Sequence, residues 1–124
     1  LLDETQKYAV ENSFNVSIAV VDVTGSLLTM KRMDGAAPIS ATICQEKAKC
    51  SALSTKPSKV FEDMIKNGRN GFLSISNFVG LLEGGLPIVY EGQVVGAVGV
   101  SGVQSHQDAD IAQHAIDKFL AQAG

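Results

Sequence analysis

Residues 83–110 read EGGLPIVYEGQVVGAVGVSGVQSHQDAD, a glycine-punctuated hairpin running into a helix. Gly84-Gly85 frees the backbone, Pro87 stiffens the entry, and Ile88-Val89-Tyr90 is a strand. Glu91-Gly92 is a two-residue hairpin turn, and Gln93 to Ser101 returns as a second strand. Gly96, Gly99 and Gly102 break its apolar run. Glycine inside a strand marks a bulge or a close backbone approach. A helix, a second subunit or a ligand therefore packs tightly against this strand. Ser105 followed by Asp108 predicts a capping box for the last helix. Ile111, Ala112, Ala115, Ile116, Phe119 and Leu120 share one of its faces.

Working back toward the start, Asp3 to Asn12 reads as a helix, and Val16 to Asp22 as a β-branched internal strand. Thr24-Gly25 turns the chain into a second strand over Ser26 to Met33. Residues 34–38 form a loop whose Pro38 suits the start of the helix over Ile39 to Ser54. Ala37, Ala41, Cys44, Ala48 and Ala52 recur at spacings of three and four, a small-residue stripe that lets this helix lie close to a sheet. Lys56-Pro57 ends it, and Ser58 to Lys66 is a further short helix. Phe72 to Leu82 suits a short strand or a loop over a cleft. Strands joined by tight hairpins imply an antiparallel sheet, and the helices cover its faces, giving an α+β sandwich.

The chain has 124 residues, the size of one domain, with 45% hydrophobic and 19% charged residues and a net charge of -3. Lys and Arg are scattered, so no basic footprint for nucleic acid exists. No apolar run approaches the ~20 residues a membrane helix needs. The opening LLDETQKYAVEN has the alternation of an amphipathic helix, unlike a signal peptide. Cys44 and Cys50 are six residues apart in one helix, about 240° around its axis, which disfavours a disulfide between them. Reduced thiols fit a cytoplasmic location. Secretion through an upstream segment remains the alternative, since the chain begins without Met. CxxC, HExxH and Walker signatures are absent.

The blocks AVVDVTGSLLTMKRMDGA and GGLPIVYEGQVVGAVGVSG, with Lys47-Ala48 between them, resemble the GlcG/HbpS family over essentially the whole chain, as a single domain over residues 1–124. The resemblance implies a profilin-like or GlcG-like fold with a sheet of about five antiparallel strands sandwiched by helices. It also implies homo-oligomers. Some members bind haem, and others occur in operons for glycolate, diol or glycerol metabolism.

Granting that fold, Arg32, Asp34, Lys47, Glu83, Gly84 and Gly85 converge, and glycine-freed amides with two cations would hold a carboxylate or a haem propionate. The plainer reading is that Asp34 caps the following helix and Gly84-Gly85 makes a turn. His106, Asp110 and His114 follow one stripe of the last helix at i, i+4, i+8. They suit a metal or haem iron, yet the stripe lies opposite the apolar face and so faces solvent or a partner subunit. His106 is the exception, being close to the end of the glycine-rich strand. Beyond the two histidines, the axial donors for haem are Met30, Met33, Met64, Tyr8, Tyr90, Cys44 and Cys50. Cys44 near Lys47 suggests an activated thiolate, against the simpler role of a small buried hydrophobe. Ser101 in GVSG lacks the GxSxG spacing of a nucleophile elbow.

Binding of a small molecule, with haem or a related tetrapyrrole first, is the leading expectation. The alternatives are an enzyme or accessory factor of small-molecule catabolism, with Asp34, Lys47 and Glu83 doing acid–base work, and a structural oligomer without a ligand.

Overall fold

The computed structural model describes residues 2–123. The elements run α1 (Leu2–Glu11), β1 (Ser17–Val21), β2 (Leu27–Arg32), α2 (Pro38–Ser54), α3 (Lys59–Lys66), β3 (Gly85–Tyr90), β4 (Gln93–Ser101) and α4 (Ser105–Ala123). A single 3-10 turn, Asn70–Ser74, lies between α3 and β3. The strands form one antiparallel sheet in the order β2-β1-β4-β3. It has four strands among the described residues, where about five were expected. The undecided stretch Phe72 to Leu82 supplies none. Phe72 and Phe78 instead pack edge-on against Phe61 of α3, with centroids 5.5 and 4.8 Å away, and this aromatic knot draws the segment off the sheet.

Side chains alternate across β1 and β4, so each strand feeds two cores. Ile18, Val20, Val98 and Val100 pack on one face with Ala9 of α1 and Ile111, Ala112 and Ile116 of α4. Ala19, Val21 and Ala97 pack on the other with Cys44, Ala48 and Ala52 of α2. This second core consists mostly of small residues, and that permits close approach. A Cβ at Gly99 would overlap the Cys44 carbonyl and lie 2.6 Å from the Ala48 nitrogen. The tight packing inferred from the strand glycines is therefore a helix lying on the sheet.

The Glu91-Gly92 turn forms as read, with φ of 51° and 79°, both in the left-handed region that such hairpins require. The capping box expected at Ser105 and Asp108 does not form, and only its returning half is made, one residue earlier. The Gln104 N–H donates to Gln107 Oε1 at 3.2 Å, while Asp108 is turned inward. At α2 Pro38 takes the first turn as expected, but the N-cap is Ala37 with no side-chain hydrogen bond, so Asp34 is not its cap.

Candidate functional site at one end of the sheet

Antiparallel pairing sends the end of β2, the start of β1, the end of β4 and the start of β3 to one end of the sheet. Arg32 pairs with Ser17, Ser17 pairs with Ser101, and Gly85 pairs with Gly99. The segments beyond those positions carry Asp34, Glu83 and Gly84 in loops and His106 in the first turn of α4. Arg32 and Ser101 are two strands apart, about 10 Å at the usual strand spacing. Topology thus gathers the anticipated residues at one end, although direct contacts join only some of them.

Lys47 stands at the centre of those contacts. It sits on the buried stripe of α2, where a charge requires a partner. Its Nζ donates to Asp108 Oδ2 at 3.2 Å and to the Val100 carbonyl at 3.0 Å. The two side chains of this ion pair are 3% and 2% exposed. Asp108 Oδ1 accepts the Val103 N–H at 3.2 Å. Burial pushes the Asp108 carboxyl above its ordinary value, and the Lys47 ammonium opposes that push.

The Gly84-Gly85 loop rests on this pair. A Cβ at Gly84 would lie 2.7 Å from Lys47 Nζ and 2.7 Å from the Val100 oxygen, so only glycine leaves room for the ammonium. From the other side Ser58 Oγ accepts the Gly85 N–H at 2.8 Å and donates to the Leu82 carbonyl at 2.5 Å. Glu62 Oε1 accepts the Glu83 N–H at 3.1 Å. Ser51 Oγ is buried beneath Gly85 and has no hydrogen-bond partner among the described residues. The loop is therefore held by side chains of α2 and α3, and Lys47–Asp108 carries the first turn of α4, with His106, up to it.

A family model described as "Haem degrading protein HbpS-like" matches residues 1–117. The chain belongs to the HbpS-like family. It is 49% identical over 96 residues to Protein GlcG of Escherichia coli K12, covering 77% of this chain and 71% of that protein. Among solved structures it is similar to the Klebsiella pneumoniae protein ORFY, with a TM-score of 0.90 and 32% identity over 97% of this chain and 85% of that one. It is also similar to PduOC in a complex with haem, with a TM-score of 0.83 and 25% identity over 94% of this chain and 86% of that one.

In this HbpS-like chain the remaining candidates have distinct surroundings. Arg32 is exposed, and its Nε donates to the Ala36 carbonyl at 3.3 Å. Asp34 is exposed and Glu83 half-buried, and no hydrogen bond or ion pair joins either carboxylate to Lys47 among the described residues. His106 and Asp110 are exposed, whereas His114 stacks on Tyr8 of α1 at 4.0 Å and 20°. Among the described residues no cluster of His, Cys, Asp and Glu side chains is placed to hold a metal ion.

Cys44 is fully buried and bonded to the Ala41 carbonyl at 3.3 Å. Burial pushes its thiol up to about 12, so the activated-thiolate reading gives way to packing. Both cysteines are free. No helix among the described residues is long and apolar enough to cross a membrane.

The donor set fits haem at its exposed positions. His106 makes no hydrogen bond among the described residues, which leaves its ring nitrogens available. The Arg32 guanidinium keeps further N–H donors for a carboxylate. Lys47 does not fit as a propionate anchor, because Asp108 already neutralises it inside the fold. Asp108 was missed as a site residue. The readable signal was a lysine sharing the buried stripe of α2 with Cys44, Ala48 and Ser51, a position that demands an acid from elsewhere in the chain.

Proposed function

We propose that this protein binds a small molecule, with haem or a related tetrapyrrole as the first choice, at the end of the sheet where Arg32, Asp34, Lys47, Glu83, Gly84, Gly85 and His106 gather. The observation that carries the reading is the likeness to the PduOC complex with haem over 94% of this chain. The description of the matching family model supports it. Fold likeness alone is analogy, so the reading rests equally on the exposed imidazole of His106, which has no hydrogen-bond partner among the described residues, and on the exposed guanidinium of Arg32 at that end.

In this reading Arg32 holds a propionate and the Gly84-Gly85 segment permits close backbone approach. Asp34 and Glu83 accept hydrogen bonds at the rim. Lys47 acts from beneath, fixing the glycine loop against the first turn of α4. His106 would offer a nitrogen to the iron, and attachment would be noncovalent because the sequence has no CxxCH. Bound haem would supply an iron centre with redox and ligand-binding chemistry. The exposure of these groups suits a site completed by a second copy of the chain, in keeping with a homo-oligomer.

The test is the spectrum of the haemin complex in His106→Ala and His114→Ala variants. A changed Soret band and weaker binding in His106→Ala, with His114→Ala unaltered, support the assignment. An unchanged spectrum and affinity in His106→Ala remove the axial role.

A further inference from the structure

At the opposite end of the sheet a groove of about 540 Å³ runs along the outer side of α2. Two turns frame it, each pinned to the helix by a glycine. A Cβ at Gly80 would overlap the Glu46 carbonyl, and one at Gly25 would lie 2.9 Å from Lys49 Cγ. The walls between them are Val21, Leu27 and Val79 on the apolar side and Thr42, Gln45, Glu46, Lys49 and Asn77 on the polar side.

The charges in this groove are unusual in being unspent. Glu46 and Lys49 are half-buried and one helical turn apart, the spacing at which an ion pair ordinarily closes. Neither makes an ion pair or a side-chain hydrogen bond among the described residues, and the side chains of Thr42 and Asn77 make none either. Partly desolvated charges without partners cost stability, and a ligand that met them would recover that cost. A simple anion satisfies Lys49 and is repelled by Glu46, and a simple cation does the reverse. A molecule carrying both signs close together satisfies both. The apolar wall of Val21, Leu27 and Val79 then takes an apolar group, with Thr42 and Asn77 left for hydrogen bonds.

We infer that this groove is a second binding site, separate from the one proposed above, for a zwitterion with an apolar side group, the chemistry of a free amino acid or a short peptide. The volume lies within the range of small-molecule pockets. Lys49 takes the carboxylate, Glu46 the ammonium, and the apolar wall the side chain.

Isothermal titration of the purified protein with L-leucine and with L-leucyl-L-leucine tests this, alongside Glu46→Gln and Lys49→Met. Saturable binding of either probe, weakened at least tenfold by each substitution, is the expected result. Leucinamide, which lacks the carboxylate, and N-acetyl-leucine, which lacks the ammonium, should each bind at least tenfold more weakly than leucine. Which probe binds tighter distinguishes a free amino acid from a peptide. Both side chains lie outside the core, so each variant should keep the wild-type circular dichroism spectrum and melting temperature. Absence of saturable heat with both probes, or binding that both folded variants retain in full, overturns the proposal.

Discussion

Lys47 of α2 and Asp108 of α4 form a buried ion pair, 3.2 Å from Nζ to Oδ2, that joins helices on opposite faces of the sheet. The two residues are 61 positions apart in sequence. The pair passes around the end of β4, taking in the Val100 carbonyl, and sits under Gly84. It couples the two helical layers and sets the glycine loop against the start of α4.

Removing one partner strands a buried charge. Lys47→Met and Asp108→Asn should each cost about 3–5 kcal/mol. The double variant should cost less than the sum of the two by about 1–3 kcal/mol. Urea unfolding of the four proteins measures this directly, and additive losses would show that the pair is not coupled.

Asp108 and Asp22 are shifted in opposite senses by their surroundings. Burial raises Asp108 above 3.8, so the folded state holds that proton more tightly than the unfolded chain does. Its contribution to stability therefore falls as pH rises from 3.8 through the folded value. The Thr24 hydroxyl and the Ser26 N–H lower Asp22, whose contribution is present above 3.8 and is lost as pH falls through the lowered value. Carboxyl NMR titration should place Asp108 above 3.8 and Asp22 below it, with Lys47→Met moving Asp108 further up. An Asp108 midpoint below 3.8 would contradict the account.

Close contact between α2 and β4 makes Gly99 intolerant of any side chain. Gly99→Ala forces a methyl into the backbone of Cys44 and Ala48 and should cost at least about 3 kcal/mol. Gly92, unlike Gly99, has a positive φ, and its Cβ would meet nothing within 4 Å. Gly92→Asn, which suits a hairpin turn, should cost less than about 1 kcal/mol. Thermal melts of the two variants separate packing from turn conformation.

Neither thiol should react in the folded protein. Burial pushes both Cys44 and Cys50 up to about 12, so at pH 8 almost no thiolate forms. Iodoacetamide should label neither residue in native protein and both in urea, as read by peptide mass spectrometry. Rapid native labelling of Cys44 would restore the nucleophile reading.

What could be read from the chain was what local rules govern. The Glu91-Gly92 turn and the β1–β2 hairpin follow from residue chemistry within a few positions and form as read. The small-residue stripe of α2 is buried at Cys44, Ala48 and Ala52, whereas Ala37 is exposed ahead of the helix and Ala41 is half-buried. The stretch from Phe72 to Leu82 was undecided because its conformation depends on a tertiary partner, Phe61, and on Gly80 meeting the Glu46 backbone. The capping signal was misplaced by one residue because Asp108 has a stronger use than capping. Its partner lies in another layer, and only the topology of the sheet brings the two together. The unpaired charges of the α2 groove were invisible for the same reason. Sequence shows which residues carry charge, and the fold decides which of them remain unpaired.

The most direct test of haem binding is a titration of the wild-type protein with haemin, followed in the Soret region to an end point. The account predicts a saturable shift that reaches its plateau at a fixed ratio of haemin to protein. A weak drift that never saturates would mean surface adsorption and would contradict it.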